Sequence, residues 1–393
     1  MYLISPRLFL IEVQSSCDEE DRVNNKEICM WLSGIKGIGN KKIKSMLEYF
    51  KEPHRVYDCP ISEFKKVVGL SEKDIENIVT AREEKYIDIN VRRKLYDLEN
   101  RGIKYIDYYD KEYPLRLKNI YDFPLGLYVR GKLPKDDKAV VAIVGARNCS
   151  EYGKWVSKHI AQELASLGVD VISGMARGID TSAHIGAMLG KGDTYGVLGC
   201  GIDRCYPAEN MEVFMKCIEH GGVISEYGVG VLPMAGNFPM RNRIISGLAD
   251  VVLVVEAKKK SGSLITADVA LEQGRSVMAV PGRITDVMSE GCNNLILNGA
   301  SLALSALDVV RELNNCGFVI AESIEKDDIF KNITLATSEK IVYDRLCLIP
   351  KSIKSIMDEC NLGYQKVVEI LINLELKDVI VQTSKGYYAK VNG

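Results

Sequence analysis

Two apolar runs rich in β-branched residues, each ending in a glycine-containing turn, constrain this chain more than any other feature. They cover residues 140–144 and 169–172, and a helical pattern follows each of them. The first run is unbroken, and the second is interrupted only by Asp170. Such runs are typical of strands buried on both faces, so the pattern predicts βαβ units of a parallel sheet. The two turns carry Arg147 and Arg177. Ligands of open α/β sheets lie beyond the carboxyl ends of the strands, and guanidinium groups suit phosphate, so both arginines are expected at a phosphate-bearing ligand.

Four further apolar runs follow, separated by amphipathic helical segments. We therefore predict an α/β fold with an extended Rossmann-like, doubly wound parallel sheet that occupies residues 101–315. The six predicted strands of its core are residues 140–144, 169–172, 195–198, 222–224, 251–255 and 276–280.

The part of the chain before this core has a helical pattern over residues 27–100. It follows a polar and acidic start, residues 1–26, which is expected to be mobile. The Gly-Ile-Gly sequence at 37–39 predicts a helix-hairpin-helix in a SAM-like domain. Glycines at such a turn let backbone N–H groups approach a DNA phosphate. A helical bundle whose turns simply require glycine explains the same residues, so both interpretations stay open.

The part after the core begins with an acidic linker over residues 316–336. Residues 337–393 then show three helical stretches and a β-hairpin, the pattern of a winged helix. Its third helix, residues 364–376, would enter the major groove if the domain bound DNA. The domain is nearly neutral, whereas a groove-reading helix is usually flanked by phosphate-contacting bases. Binding to a protein is therefore the competing interpretation.

Composition limits the classes of partner. The net charge of −2 over 393 residues provides no overall field for nucleic acid, so an anionic partner must be held by a local patch. Eleven cysteines occur without a Cys-x-x-Cys pair and beside only four histidines, so no metal site is expected, and scattered thiols are typical of a reducing cytoplasm. No apolar run approaches the ~18 residues of a membrane helix, so no membrane association is expected. The dinucleotide and Walker phosphate-binding motifs are both missing, so no cofactor is expected.

Tyrosines interleaved with lysines and arginines in residues 84–131 allow two interpretations. They could form a surface on which bases stack. Packing of one domain against the next is the interpretation that we favour, because tyrosine suits positions with one apolar and one wet end.

Hydrolytic chemistry has a weaker basis in the sequence. Ser173, Asp180, Ser182 and His184 fall close together after the second strand. The hydroxyl at 182 is better explained by the cap and first turn of a helix. Catalysis is therefore not indicated, and no catalytic residue is assigned.

The strand-end loops contain four motifs that belong together. They are Gly-Ala-Arg at 145–147, Ser-Gly-Met-Ala-Arg-Gly-Ile-Asp at 173–180, Phe-Pro-Met-Arg-Asn-Arg at 238–243 and Ser-Gly-Ser-Leu-Ile-Thr at 261–266. Over about residues 100–305 these motifs resemble the DNA-processing protein A family, DprA/Smf. The helix-hairpin-helix and the winged helix match the family's longer members.

This resemblance implies a cytoplasmic homodimer that binds single-stranded DNA without sequence preference and loads RecA recombinase during natural transformation and DNA recombination. It also implies which residues contact DNA. These are Gly145, Arg147, Gly174, Met175, Arg177, Gly178, Phe238, Arg241, Asn242, Arg243, Ser261, Gly262 and Thr266. From the residues alone, Arg241 and Arg243 have an alternative role in intramolecular pairing with Glu226 or Asp250.

The chain departs from the family pattern at two places. Ala146 stands where many relatives have serine, and the residues before Phe238 offer no lysine where relatives often have one. Two other functions remain under consideration. One is a nucleotide-processing enzyme of the phosphohydrolase kind, with Asp180 or Glu256 poised over the loops that carry the two arginines. The other is a scaffold that binds proteins through its terminal domains.

Overall fold

The structure is a computed structural model that describes residues 23–83, 90–321, 335–347, 349–377 and 379–390. The predicted mobile start, residues 1–26, lies almost entirely outside the described residues, and the first described helix already begins at Asn25. The described helices are α1 (Asn25–Gly34), α2 (Asn40–Phe50), α3 (Pro53–Asp58), α4 (Ile61–Phe64), α5 (Glu72–Glu83), α6 (Arg92–Asn100), α7 (Leu115–Lys118), α8 (Glu151–Ser166), α9 (Ile179–Leu189), α10 (Met211–Glu219), α11 (Asn237–Leu248), α12 (Gly262–Glu272), α13 (Glu290–Leu297), α14 (Ala306–Asn315), α15 (Thr337–Arg345), α16 (Ile353–Cys360) and α17 (Tyr364–Leu376).

A nine-stranded sheet forms the centre of the molecule. Its strands are β1 (Lys104–Asp107), β2 (Gly126–Gly131), β3 (Val140–Val144), β4 (Asp170–Ser173), β5 (Thr194–Leu198), β6 (Gly221–Ser225), β7 (Val251–Val254), β8 (Ser276–Ala279) and β9 (Ser301–Leu302). Their order is β1-β2-β6-β5-β4-β3-β7-β8-β9. The seven strands β3 to β9 are parallel to one another. At one edge of the sheet, β2 pairs antiparallel with β6, and β1 pairs antiparallel with β2.

The predicted α/β class is confirmed, and the six predicted core strands are present with slightly shifted ends. The six predicted strands are parallel to one another, and β1 and β2 add an antiparallel edge to them. Helices cover both faces, because α8, α9 and α14 contribute to one apolar cluster and α7, α11 and α12 to another. The central strands β3 and β7 are buried at every position, as their unbroken apolar sequences require.

The N-terminal helices pack against the β1 edge of the sheet and share its core. Trp31 of α1 is fully buried in the same cluster as Tyr105 of β1 and Leu198 of β5. In the segment rich in tyrosine, Tyr105 is buried in this shared cluster, as packing between the helical part and the sheet requires. Tyr113 is buried in a cluster of the sheet and its own helices, and Tyr121 is exposed.

The C-terminal part has an apolar core of its own, formed by α15, α16, α17 and a small sheet. That sheet has the order β10-β12-β11, with β10 (Lys351–Ser352), β11 (Ile380–Ser384) and β12 (Tyr387–Lys390). Three helices and a hairpin thus follow one another in the predicted order, and the winged-helix assignment stays a prediction. Throughout the described ranges, no helix is both long and apolar enough to cross a membrane.

Candidate nucleic-acid interface

A pocket of about 670 Å³ opens at the carboxyl ends of the central strands, and we call it the strand-end pocket. The chain passes from β3 outward through β4, β5 and β6, and α11 then carries it back to β7 on the other side of β3. The gap between β3 and β7 is therefore the point at which the strand order reverses. Open α/β sheets bind their ligands at such a switch point. The loops that follow β3 and β7 both line the pocket.

Most of the predicted contact residues line this pocket. Those present are Gly145, Arg147, Phe238, Arg241, Asn242, Ser261, Gly262 and Thr266. The remainder lie outside it, namely Gly174, Met175, Arg177, Gly178 and Arg243.

The loop after β3 is fixed by Glu256, which follows β7. The backbone N–H of Ala146 donates to the Glu256 carbonyl oxygen at 2.8 Å, and the backbone N–H of Ser150 donates to Glu256 Oε2 at 2.8 Å. Ser150 also caps α8 by accepting a hydrogen bond from the Gly153 N–H. Glu256 is buried in this role, so its carboxylate is committed to holding the loop.

Gly178 brings the loop after β4 against the loop after β3. It has φ of +76°, and a Cβ at this position would lie 2.5 Å from the carbonyl oxygens of Ala146 and Arg147. Only glycine fits this approach without a backbone shift. Gly178 therefore acts on the pocket indirectly, through its close contact with Ala146 and Arg147, which line it.

Arg147 is exposed at the mouth of the pocket. Its guanidinium lies over the ring of Phe238, with Cζ 5.2 Å from the ring centroid. Within the part of the chain that the structure describes, Arg147 has no carboxylate partner. Its charge is therefore available to an anionic ligand.

Arg241 forms the floor of the pocket. It is 4% exposed, and its Nη1 donates to the carbonyl oxygen of Gly174 at 2.6 Å and to that of Val197. Burial lowers the pKa of Arg241 to about 10, and the nearby Asp180 carboxylate opposes this change. Asp180 is buried as well, and its Oδ2 accepts from the Gly174 N–H at 3.1 Å. The pair ties the ends of β4 and β5 together beneath the pocket.

Arg243 and Met175 are predicted contact residues whose side chains are buried away from the pocket. Arg243 is buried outside the pocket, where its Nη2 donates to Glu226 Oε2 and its Nε lies 3.4 Å from Asp122 Oδ2. The intramolecular pairing with Glu226 is thus present for Arg243, while Asp250 pairs with another residue, Arg116. Met175 is fully buried. Neither side chain reaches the pocket, because partners distant in sequence enclose both.

Phe238 and its neighbours lie in a helix, although the sequence indicated a loop. α11 begins at Asn237, and Pro239 is tolerated because the first turn needs no backbone N–H from it. The Phe238 ring packs on the backbone at Gly199, where an added Cβ would lie 2.8 Å from the ring. Tyr206 lies beside it, with the two ring centroids 5.6 Å apart.

The comparisons with known proteins agree with this geometry. The model of the family described as DNA recombination-mediator protein A matches residues 104–314. This chain belongs to that family. It is 43% identical over 222 residues to the DNA processing protein DprA of Bacillus subtilis, covering 56% of this chain and 75% of the relative. It is 35% identical over 295 residues to the Synechocystis protein Smf, covering 74% of this chain and 73% of the relative.

A solved structure of the family is also similar. DNA processing protein A of Streptococcus pneumoniae superimposes with a TM-score of 0.64 at 34% identity, and the match covers 74% of this chain and 98% of that one. The resemblance drawn from the strand-end motifs is confirmed. The family match spans the whole nine-stranded sheet and the strand-end pocket.

Lys258 and Lys260 are pocket residues that the sequence interpretation missed. Both line the strand-end pocket, and with Lys259 they form an exposed run directly before Ser261. Among the described residues, none of these lysines is held in an ion pair. Three consecutive lysines after a buried strand were the available signal. They bring positive charge to the pocket from the loop after β7.

The groups considered for catalysis have structural partners. The Ser173 hydroxyl donates to the Ile143 carbonyl oxygen at 2.6 Å, and His184 Nδ1 lies 2.7 Å from Thr194 Oγ1. Burial lowers the pKa of His184 to about 3, so its ring is neutral near pH 7. Across the described ranges, no cluster of three or more His, Cys, Asp or Glu side chains could hold a metal ion.

Proposed function

We propose that this protein binds single-stranded DNA without sequence preference in the strand-end pocket, and that it acts without catalysis. One observation carries the proposal. The pocket lining divides into a cationic and hydroxyl-bearing part over β3 and β7, and an apolar part contributed by the loops after β5 and β6 and by the start of α11.

The cationic part suits phosphates. Within the described ranges, Arg147, Lys258 and Lys260 provide charges that no ion pair holds, and Ser261 and Gly262 stand at the N-terminus of α12. Backbone N–H groups at a helix N-terminus favour anions, and arginine adds bidentate geometry. A chain of phosphates could therefore run along the loops after β3 and β7.

The apolar part suits bases. Tyr206, Pro233, Ala235 and Phe238 line this side of the pocket. Aromatic side chains stack on any base, because every base has a π-face, and such contacts give little sequence preference. In a duplex the bases are already stacked inside the helix, so only a single strand offers phosphates and bases to the two parts of the pocket at once.

We further propose that the protein acts as a homodimer, in the cytoplasm, and loads RecA recombinase during natural transformation and DNA recombination. The family's description as a recombination mediator supports the RecA role. Support for a dimer comes from the β9 edge of the sheet, where Leu297, Leu302 and Leu304 are all exposed. Exposed apolar patches of this kind mark protein contacts.

Fluorescence anisotropy with a labelled oligothymidylate tests the DNA proposal. Affinity should fall steeply with salt, because single-strand binding releases about 0.7 counterion per phosphate neutralised. Mixed-sequence oligonucleotides should bind alike, and a duplex of equal length more weakly. Arg147→Ala should weaken binding to every sequence to the same degree. Binding that is indifferent to salt, or equal for duplex and single strand, would rule the proposal out.

A further inference from the structure

An exposed ion pair joins Arg177 and Glu209 beside the strand-end pocket. The guanidinium contacts both carboxylate oxygens, with Nη2 2.8 Å from Oε2 and Nε bonded to Oε1. The two side chains are 56% and 55% exposed. Such a pair is weak, because water and salt screen it and both long side chains lose freedom in forming it.

The pair continues the pocket on its apolar side. Ala176 and Tyr206 line the pocket, and Arg177 and Glu209 follow them in the loops after β4 and β5. These loops are tied together, because Asn210 Nδ2 donates to the Met175 carbonyl oxygen at 2.8 Å. A strand that leaves the pocket over Tyr206 therefore meets Arg177 next.

Tyr206 offers the freer of the two aromatic rings. The Phe238 ring packs on Gly199 and lies near the guanidinium groups of Arg147 and Arg241. Tyr206 is 45% exposed, whereas Phe238 is half-buried beside it. In this arrangement Phe238 supports the Tyr206 ring, and the Tyr206 ring is accessible for stacking with a base.

We propose that Tyr206 and Arg177 form a second subsite for the strand, in which a base stacks on Tyr206 and the adjoining phosphate displaces Glu209 from Arg177. The inference rests on the proposed function. Phosphate oxygens accept the same forked pair of N–H donors that the carboxylate now occupies. Glu209 is then an internal competitor that weakens DNA binding at this subsite, and its removal strengthens binding.

Substitution of Glu209 by Gln tests the competition. Its affinity for oligothymidylate should rise about two- to fivefold, the range expected for release of one exposed ion pair. The salt dependence should stay close to that of the wild type, because Arg177 neutralises the same phosphate in both proteins. The matched control is Glu212→Gln, which removes an exposed carboxylate paired with Lys216 on α10 and outside the pocket. It should leave affinity unchanged.

Two comparisons decide between specific release and a general charge effect. In the double variant Arg177→Gln/Glu209→Gln the gain should vanish. Oligothymidylates of about 4–16 nucleotides span the usual site sizes, and only those that reach past the pocket should show the gain. Equal gains from Glu209→Gln and Glu212→Gln, or a gain that persists without Arg177, would overturn the role of Glu209.

Substitution of Tyr206 tests the stacking. Tyr206→Leu keeps an apolar side chain without a π-face and should lower affinity at least about fivefold, the lower bound for one stacked base. Tyr206→Phe should bind like the wild type. A walk of single abasic sites along the oligonucleotide should reveal one position at which wild type and Tyr206→Leu bind equally. Equal binding of both to intact DNA would refute the subsite, whereas no binding by the wild type would refute the proposed function itself.

Discussion

Asn40, the first residue of α2, donates a hydrogen bond of 2.7 Å from Nδ2 to Oε1 of Glu226 in the core. The start of the second helix is the place at which a helix-hairpin-helix would meet a DNA phosphate. Here a core carboxylate stands beside it. Lys44, one turn later, donates to the Tyr121 carbonyl oxygen at 3.1 Å and lies over the Tyr121 ring. This arrangement favours the packing interpretation of the hairpin.

Loss of the Asn40 side chain should weaken the attachment of the helical part. Asn40→Ala should lower the free energy of unfolding by about 1–2 kcal/mol. The substitution removes a partly buried hydrogen bond that the Asn40 amide donates to the Glu226 carboxylate. Urea denaturation measures the change. Asn77→Ala removes an exposed bond to the Lys36 carbonyl oxygen and should cost less. Equal losses in the two variants would contradict a bracing role for Asn40.

Substitution of two exposed lysines distinguishes the helix-hairpin-helix from the strand-end pocket as the site that contacts DNA. Lys260→Gln should reduce the salt dependence of oligonucleotide binding by about 0.7, because one phosphate contact is lost. Lys41→Gln, at the start of α2 and outside the pocket, should leave that dependence unchanged. Anisotropy titrations at several salt concentrations give both values. A reduction by Lys41→Gln of the same size would restore the DNA-binding interpretation of the hairpin.

Alanine substitutions of Arg147 and Arg241 should have different effects, although both residues line the pocket. Arg147→Ala should reduce DNA affinity and leave the melting temperature near that of the wild type, because the side chain is exposed. Arg241→Ala should cost about 3–5 kcal/mol of stability, because Asp180 becomes an uncompensated buried charge. Calorimetry and anisotropy on both variants check the difference. Stability loss in the first variant and not in the second would reverse these assignments.

The strands β3 and β7 were predictable because burial on both faces leaves an unbroken apolar run. β2 was not, since it lies in an antiparallel part of the sheet and its sequence, Gly-Leu-Tyr-Val-Arg-Gly, mixes apolar, aromatic and charged residues. α11 was taken for a loop because Pro239 and two arginines obscure its pattern. In each case a local signal was weaker than the tertiary contacts that decide the structure.

The site was predictable in its loops and less so in its individual side chains. Arg147 and Arg243 look equivalent in sequence, and only the fold brings Asp122 and Glu226 to the second of them. Burial of an arginine depends on partners far along the chain, which a motif does not contain. Lys258 and Lys260 needed no such information and were missed because the motif was taken to begin at Ser261.

Dimer formation through the β9 edge of the sheet can be tested by introducing one charged residue there. Leu304→Arg should shift the protein toward the monomer mass in light scattering, because an unpaired guanidinium would be buried between two apolar patches. Leu271→Arg places the same charge on α12, at another exposed leucine, and should leave the mass unchanged. A monomeric wild type would contradict the proposed homodimer.

Asp170 is the first residue of β4 and lies at the end of that strand away from the strand-end pocket. Its carboxyl should make stability depend on pH. Burial raises its pKa to about 6, against the opposing effect of Lys138, whose Nζ lies 3.4 Å from Oδ1. The folded state therefore holds a proton that the unfolded state releases near pH 4, so this carboxyl stabilises the fold less as pH rises from about 4 to 6.

The side chain of Asn resembles the protonated form of Asp170. Asp170→Asn should match the wild type below pH 4 and exceed its stability by about 3 kcal/mol above pH 6, with DNA affinity unchanged. Denaturation across this pH range measures the difference, and an advantage that is largest at low pH would contradict the raised pKa.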